Sequence, residues 1–163
     1  MTASPTDTDQ IFAPLPAIAD LAAALPLVQA PGQDILWKIQ WCRDVLFLYD
    51  RQKTAPDPEL RRLAPVAASV IQQTAATRPA PPEAIYMLGV LESTGSIPEQ
   101  IPHNPRNAFR DFEAAARGGH HVAWFNLGRD YENFGNNDKA RECFDRGIKH
   151  GNAPNCLYVR LIT

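Results

Sequence analysis

Long apolar runs are missing from this sequence, and none approaches the roughly 18 residues that a membrane-crossing helix needs. Charge of one sign is also scarce, because 16 Lys and Arg against 18 Asp and Glu leave a net charge of −2. That balance gives no general attraction to nucleic acid or to an acidic membrane surface. Cysteine is limited to Cys42, Cys143 and Cys156, an odd number at irregular spacing. Such usage argues against a disulfide framework and fits a reducing compartment. No basic segment precedes an apolar one in Met1-Thr-Ala-Ser-Pro-Thr-Asp7, so no secretory signal is expected and a cytoplasmic location is. A P-loop, a dinucleotide fingerprint and a nucleophile elbow are likewise absent.

What is present is helical patterning cut by 15 prolines, with 45% hydrophobic residues over 163 positions, enough for one domain with a real core. Residues 1–14 are polar and proline-punctuated and are expected to be mobile. Residues 15–81 read as an N-terminal helical cap. Within it, Pro16 to Leu25 is a short helix or hydrophobic arm, stopped by Pro26. Gln33 to Gln52 is the strongest single helix, with Ile35, Ile39, Cys42, Leu46 and Tyr49 on one stripe. Trp37 and Trp41, four apart, meet on an adjacent face, either as a partner anchor or, more simply, packed on the next helix. Asp57-Pro58 supplies a helix cap followed by proline at the first helical position. The stripe from Leu60 to Ala75 follows, and Pro65 inside it predicts a kink or a split.

Residues 82–163 contain one helical hairpin written twice. The first copy has Ala84, Leu88 and Gly89, then Ala108, Phe112 and Gly119; the second has Ala123, Leu127 and Gly128, then Ala140, Phe144 and Gly151. The first helices are offset by 39 residues and the second helices by 32, so the first copy holds seven extra residues, in a loop over Gly95–Pro105. Glycine inside a helix costs about 1 kcal/mol relative to alanine, so its use at matched positions predicts a close helix approach. A further helix begins near Pro154 and is cut off at Thr163. The expected fold is all-α, a right-handed α-α superhelix of stacked hairpins behind an N-terminal cap.

The order Ala-x-x-x-Leu-Gly-x-x-Tyr, turn with Gly, Lys-Ala-x-x-x-Phe and closing Gly over residues 123–151 resembles the Sel-one-like repeat, a relative of the tetratricopeptide repeat. Residues 84–119 are similar, with an enlarged loop. Four segments also resemble the fungal chitin synthase activator family: Trp41–Leu46, Pro82–Tyr86, Asn104–Glu113 and Ala123–Glu132. Together with Cys156-Leu-Tyr158, that likeness covers about residues 35–160. It implies a protein-binding scaffold that activates or localises a chitin synthase, peripheral at the plasma membrane or septum through its partners. Members of that kind carry further repeats, so the chain looks like the N-terminal portion or a short relative of such a protein.

No constellation of catalytic residues stands out, and a non-enzymatic role with no cofactor is expected. His120 and His121 diverge from one helix start, and Cys143 with His150 lacks the third and fourth ligands of a metal site, so no metal is expected. Between residues 105 and 151 eight basic residues face seven acidic ones, interleaved in sign, which indicates solvated helices rather than a phosphate stripe. The partner surface follows from register. With Ala123, Leu127 and Tyr131 packed inward, Asn126, Arg129, Asp130 and Asn133 face the concave side. The matching positions of the first hairpin include Met87, Val90 and Leu91, unless the 33–52 helix covers them. Such a face suits an extended peptide or a partner helix. Other clients (a kinase or trafficking complex), an enzyme-associated role, and self-association through open helical ends are the alternatives.

Overall fold

The computed structural model describes residues 15–52 and 54–150. The N-terminal segment expected to be mobile, the stop expected at Gly151 and the helix expected from Pro154 lie outside the described residues. Those described form seven α-helices and no strand: α1 (Ile18–Gln29), α2 (Ile35–Arg51), α3 (Pro58–Ala75), α4 (Pro82–Thr94), α5 (Pro105–Arg117), α6 (Ala123–Asn133) and α7 (Asn137–Lys149). Neighbouring helices pack in pairs, α2 with α3, α4 with α5 and α6 with α7, and each pair leans on the next. The segment expected to be a cap is therefore itself a paired hairpin, with α1 laid against it.

Local chemistry sets these boundaries. Asp34 starts α2, its carboxylate accepting from the backbone N–H of Leu36 at 2.7 Å and of Trp37 at 3.1 Å. Asp57 does the same for α3 through the Glu59 N–H at 2.8 Å, with Pro58 in the first turn. Two proline expectations are corrected. Pro26 does not stop α1, which continues to Gln29 because Val28 (2% exposed) is buried in the core beyond it. Nor does Pro65 split α3. Arg61, Arg62 and Pro65 are exposed, so the carbonyl that a proline leaves unbonded falls on the water side, while Leu63, Ala64, Ala67 and Ala68 hold the inner side. The tryptophan pair is divided. Trp41 is buried and its indole N–H donates to the Leu21 carbonyl at 3.0 Å, tying α2 to α1, whereas Trp37 is exposed.

The matched glycines meet matched rings. A Cβ on Gly89 would lie 3.0 Å from Phe112 Cε1, and one on Gly128 would lie 2.5 Å from Phe144 Cε1. Ala84 and Ala123 are fully buried, and Ala108 and Ala140 nearly so. Both hairpins thus use small residues on the first helix to seat an aromatic ring from the second.

The loop between α4 and α5 is packed rather than free. Gly95 ends α4 in the left-handed conformation (φ 64°) that favours glycine. Ile97 and Ile101 then enter the core shared by α1, α2, α3 and α4. The Gln100 side-chain amide donates to the Pro65 carbonyl at 3.0 Å, and Gln72 returns a bond to the Gln100 carbonyl at 3.2 Å. Ser96 donates to Asp50 of α2 at 3.1 Å. The seven extra residues therefore fasten the α4–α5 pair to the α2–α3 pair.

Candidate partner-binding face

Tyr86 of α4 links the first helix of one pair to the first helix of the next, α6. Its hydroxyl donates to Asn126 Oδ1 of α6 at 3.3 Å. Its ring stacks on His120, with centroids 4.2 Å apart and planes at 16°, and tilts against Phe112 at 5.8 Å. Burial pushes the Tyr86 phenol above its ordinary pKa, opposed by the Arg43 guanidinium of α2 and by the Asn126 bond. Arg43, whose charge reaches the phenol, and the bonded pair Tyr86–Asn126 thus place one residue of a stripe on each of the three helices.

On α2 the stripe is longer. Leu36, Gln40, Arg43 and Phe47 recur at helical spacing and are all exposed, with Leu36 at 55% and Phe47 at 51%. The Gln40 side-chain amide donates to Asp44 at 3.0 Å, and Arg51 sits 5.7 Å over the Phe47 ring. On α6, Arg129 pairs with Glu132 at 2.8 Å, a solvent-facing pair of the kind worth ~0.3–0.5 kcal/mol. Asn133 is exposed one residue before Phe134, the most exposed large apolar side chain described at 67%. Asp44 and Asp130 are half-buried, and that burial raises both carboxyls above the ordinary range.

Asn126, Arg129, Asp130 and Asn133 therefore lie together, at intervals of three and four on α6. The apolar half of the expected face does not. Met87 and Leu91 are buried among residues of α2 and α3, and Val90 packs half-buried on the core of the later helices. The reason is the stacking of the α2–α3 pair on α4, which the register of two hairpins alone does not contain. Sequence reasoning missed Arg43 and Tyr86 as members of the face. Tyr86 had a signal, since the position 39 residues on is also aromatic, Phe125. Arg43 had none, because its place depends on α2 being the first helix of a pair.

Reactive groups elsewhere are muted. Burial pushes the Cys42 thiol up to about 12, so it stays protonated at neutral pH, and Cys143 is buried as well. The rings of His121 and His150 stack at 5.4 Å. Among the described residues no group of three or more His, Cys, Asp or Glu gathers as a metal site requires. No helix among them is long and apolar enough to cross a membrane. An open depression of about 350 Å³ lies on α7, lined by Asp138, Arg141, Glu142, Asp145, Arg146 and Lys149. All six come from one helix, three acidic and three basic, and Arg146 pairs with Glu142 within it at 3.0 Å.

Compared with known protein families, with curated proteins and with solved structures, the chain matches none.

Proposed function

We propose that this chain is a non-catalytic adaptor, a right-handed superhelix of Sel-one-like hairpins that binds a protein along the concave side formed by α2, α4 and α6. The observation that carries the reading is the stripe through Arg43, Tyr86 and Asn126, flanked by exposed apolar side chains at Leu36, Phe47 and Phe134. Aromatic and arginine side chains set in a mixed polar surface are the usual anchors of protein recognition. The partner we propose is a fungal chitin synthase or a septal scaffold protein. Three of the four segments that resemble the activator family supply residues of this face: Trp41–Leu46 gives Arg43, Pro82–Tyr86 gives Tyr86, and Ala123–Glu132 gives Asn126, Arg129 and Asp130. A kinase or trafficking complex as client, or an enzyme-associated role, is the alternative. Self-association is favoured by one further observation, the exposure of Leu27, Ile35, Leu36 and Trp37 about the α1–α2 turn.

The test is a binding titration of this chain against the cytosolic part of a chitin synthase. The double variant Arg129→Glu with Asn133→Ala removes two exposed groups of the face and leaves the core intact. Affinity is expected to fall about tenfold or more, the effect of losing a contact worth ~1.4 kcal/mol. Unchanged affinity would refute the assignment of the site, and absence of binding by the wild type would refute the assignment of the partner.

A further inference from the structure

Glu92 is a buried carboxyl that the binding face does not use. The residue is 9% exposed, and Oε2 is buried with no donor reaching it. A charged carboxylate so placed is costly unless it is paired or neutralised. The group that α5 brings to it is a second carboxyl, Asp111, whose Cβ is 3.2 Å from where a Cβ on Gly89 would sit. Two acids held this way ionise in separate steps, with one proton shared between the first and the second.

The other titratable or charged groups nearby are bonded elsewhere or face solvent. His103 of the following loop lies against Gly95, and Asp50 of α2 accepts from Ser96. Glu132 of α6 is taken by Arg129, Arg110 and Glu99 are exposed, and α3 offers the neutral Gln72 to the loop. Glu92 is also where the loop closes, since its backbone carbonyl accepts from the Asn104 N–H at 2.9 Å, immediately before α5 begins.

We propose that the Glu92–Asp111 pair is a proton-held latch: a shared proton keeps the α4–α5 hairpin and its 95–104 loop closed, and release of that proton to solvent opens them. Burial, and then the Asp111 neighbour, raise Glu92 from 4.5 to about 7, and burial raises Asp111 too. The closed form therefore binds more protons than the open one. Its advantage is full below the ordinary carboxyl range and is lost as pH rises through about 7. Because this loop fastens the α4–α5 pair to the α2–α3 pair, the latch sets how firmly α4 is held within the binding stripe.

Amide hydrogen exchange followed by NMR tests the latch. In the wild type, protection of the Asn104 and Ile101 amides, corrected for the intrinsic pH dependence of exchange, is expected to fall about tenfold between roughly pH 5.5 and 8.5, one pK unit of coupling being a tenfold change. The Ala140 amide at the start of α7 serves as the unaffected control. Glu92→Gln, which keeps the shape without the charge, is expected to give flat protection. Should that variant not fold, Asp111→Asn removes the like charge and is expected to move the transition to lower pH. Identical profiles in wild type and variants would overturn the proposal. So would a Glu92 carboxyl titrating in the ordinary range, or a transition displaced by added magnesium or calcium, which would make a metal rather than a proton the occupant.

Discussion

Replacing Phe144 by alanine is expected to remove about 3–5 kcal/mol of stability, the cost of emptying a buried aromatic site. Phe144 is 2% exposed, and its ring fills the space that Gly128 leaves open on the facing helix. The complementary change separates packing from propensity. Gly128→Ala gains up to about 1 kcal/mol of helix propensity but sets a methyl 2.5 Å from Phe144 Cε1, an overlap typically costing ~1–3 kcal/mol. Net destabilisation is expected. At Gly89 the nearest ring atom is 3.0 Å away, so a shift of a few tenths of an ångström relieves the contact and Gly89→Ala is expected to be close to neutral. Urea unfolding of the three variants checks this, and equal effects at the two glycines would contradict it. In a double-mutant cycle, Phe144→Leu should rescue Gly128→Ala, because the two positions share one space.

Ile101→Ala is the second large effect, about 2–5 kcal/mol for a buried branched aliphatic residue. On sequence alone the position lies in a proline-rich loop, where a substitution should matter little. In the fold Ile101 is 2% exposed and shares a core with Leu63, Ile71 and Leu91. For a chain of this size each 1 kcal/mol lowers Tm by roughly 2–4 °C, so a thermal melt resolves the change. Glu99→Ala, two residues earlier and exposed, should stay within about 0.5 kcal/mol and controls for general loop sensitivity. If both variants melted like the wild type, the loop would not fasten the first two pairs.

The helices were legible in the sequence wherever apolar spacing and capping residues agreed. Asp57-Pro58 starts α3, Asn104-Pro105 starts α5, and of the stripe from Ile35 to Tyr49 the middle, Ile39, Cys42 and Leu46, is buried, while Ile35 at the helix start is exposed and Tyr49 half-buried. Prolines misled because their cost is local: Pro26 and Pro65 each remove one hydrogen bond, while Val28 beyond the first and Ala67, Ala68 and Ile71 beyond the second are held in the core. The loop misled because Ile97 and Ile101 are two isolated apolar residues with no periodicity, and only the tertiary arrangement gives them a core to enter. The proposed binding face was half legible. Helical spacing fixes Asn126, Arg129, Asp130 and Asn133 on one side of α6, but which side of α4 remains open depends on α2 and α3, and that contact buries Met87 and Leu91.

Site-specific photocrosslinking asks the central question most directly. A photoreactive side chain at Asn133, exposed on the α6 side shared with Asn126, is compared with one at Arg141, exposed on α7. Both positions lie outside the core, so neither probe disturbs the packing. A face formed by α2, α4 and α6 predicts a discrete adduct with one partner from position 133, lost when Arg129→Glu is added, and none from position 141. An adduct formed from position 141 and not from 133 would place the partner on the outer helices and contradict the account.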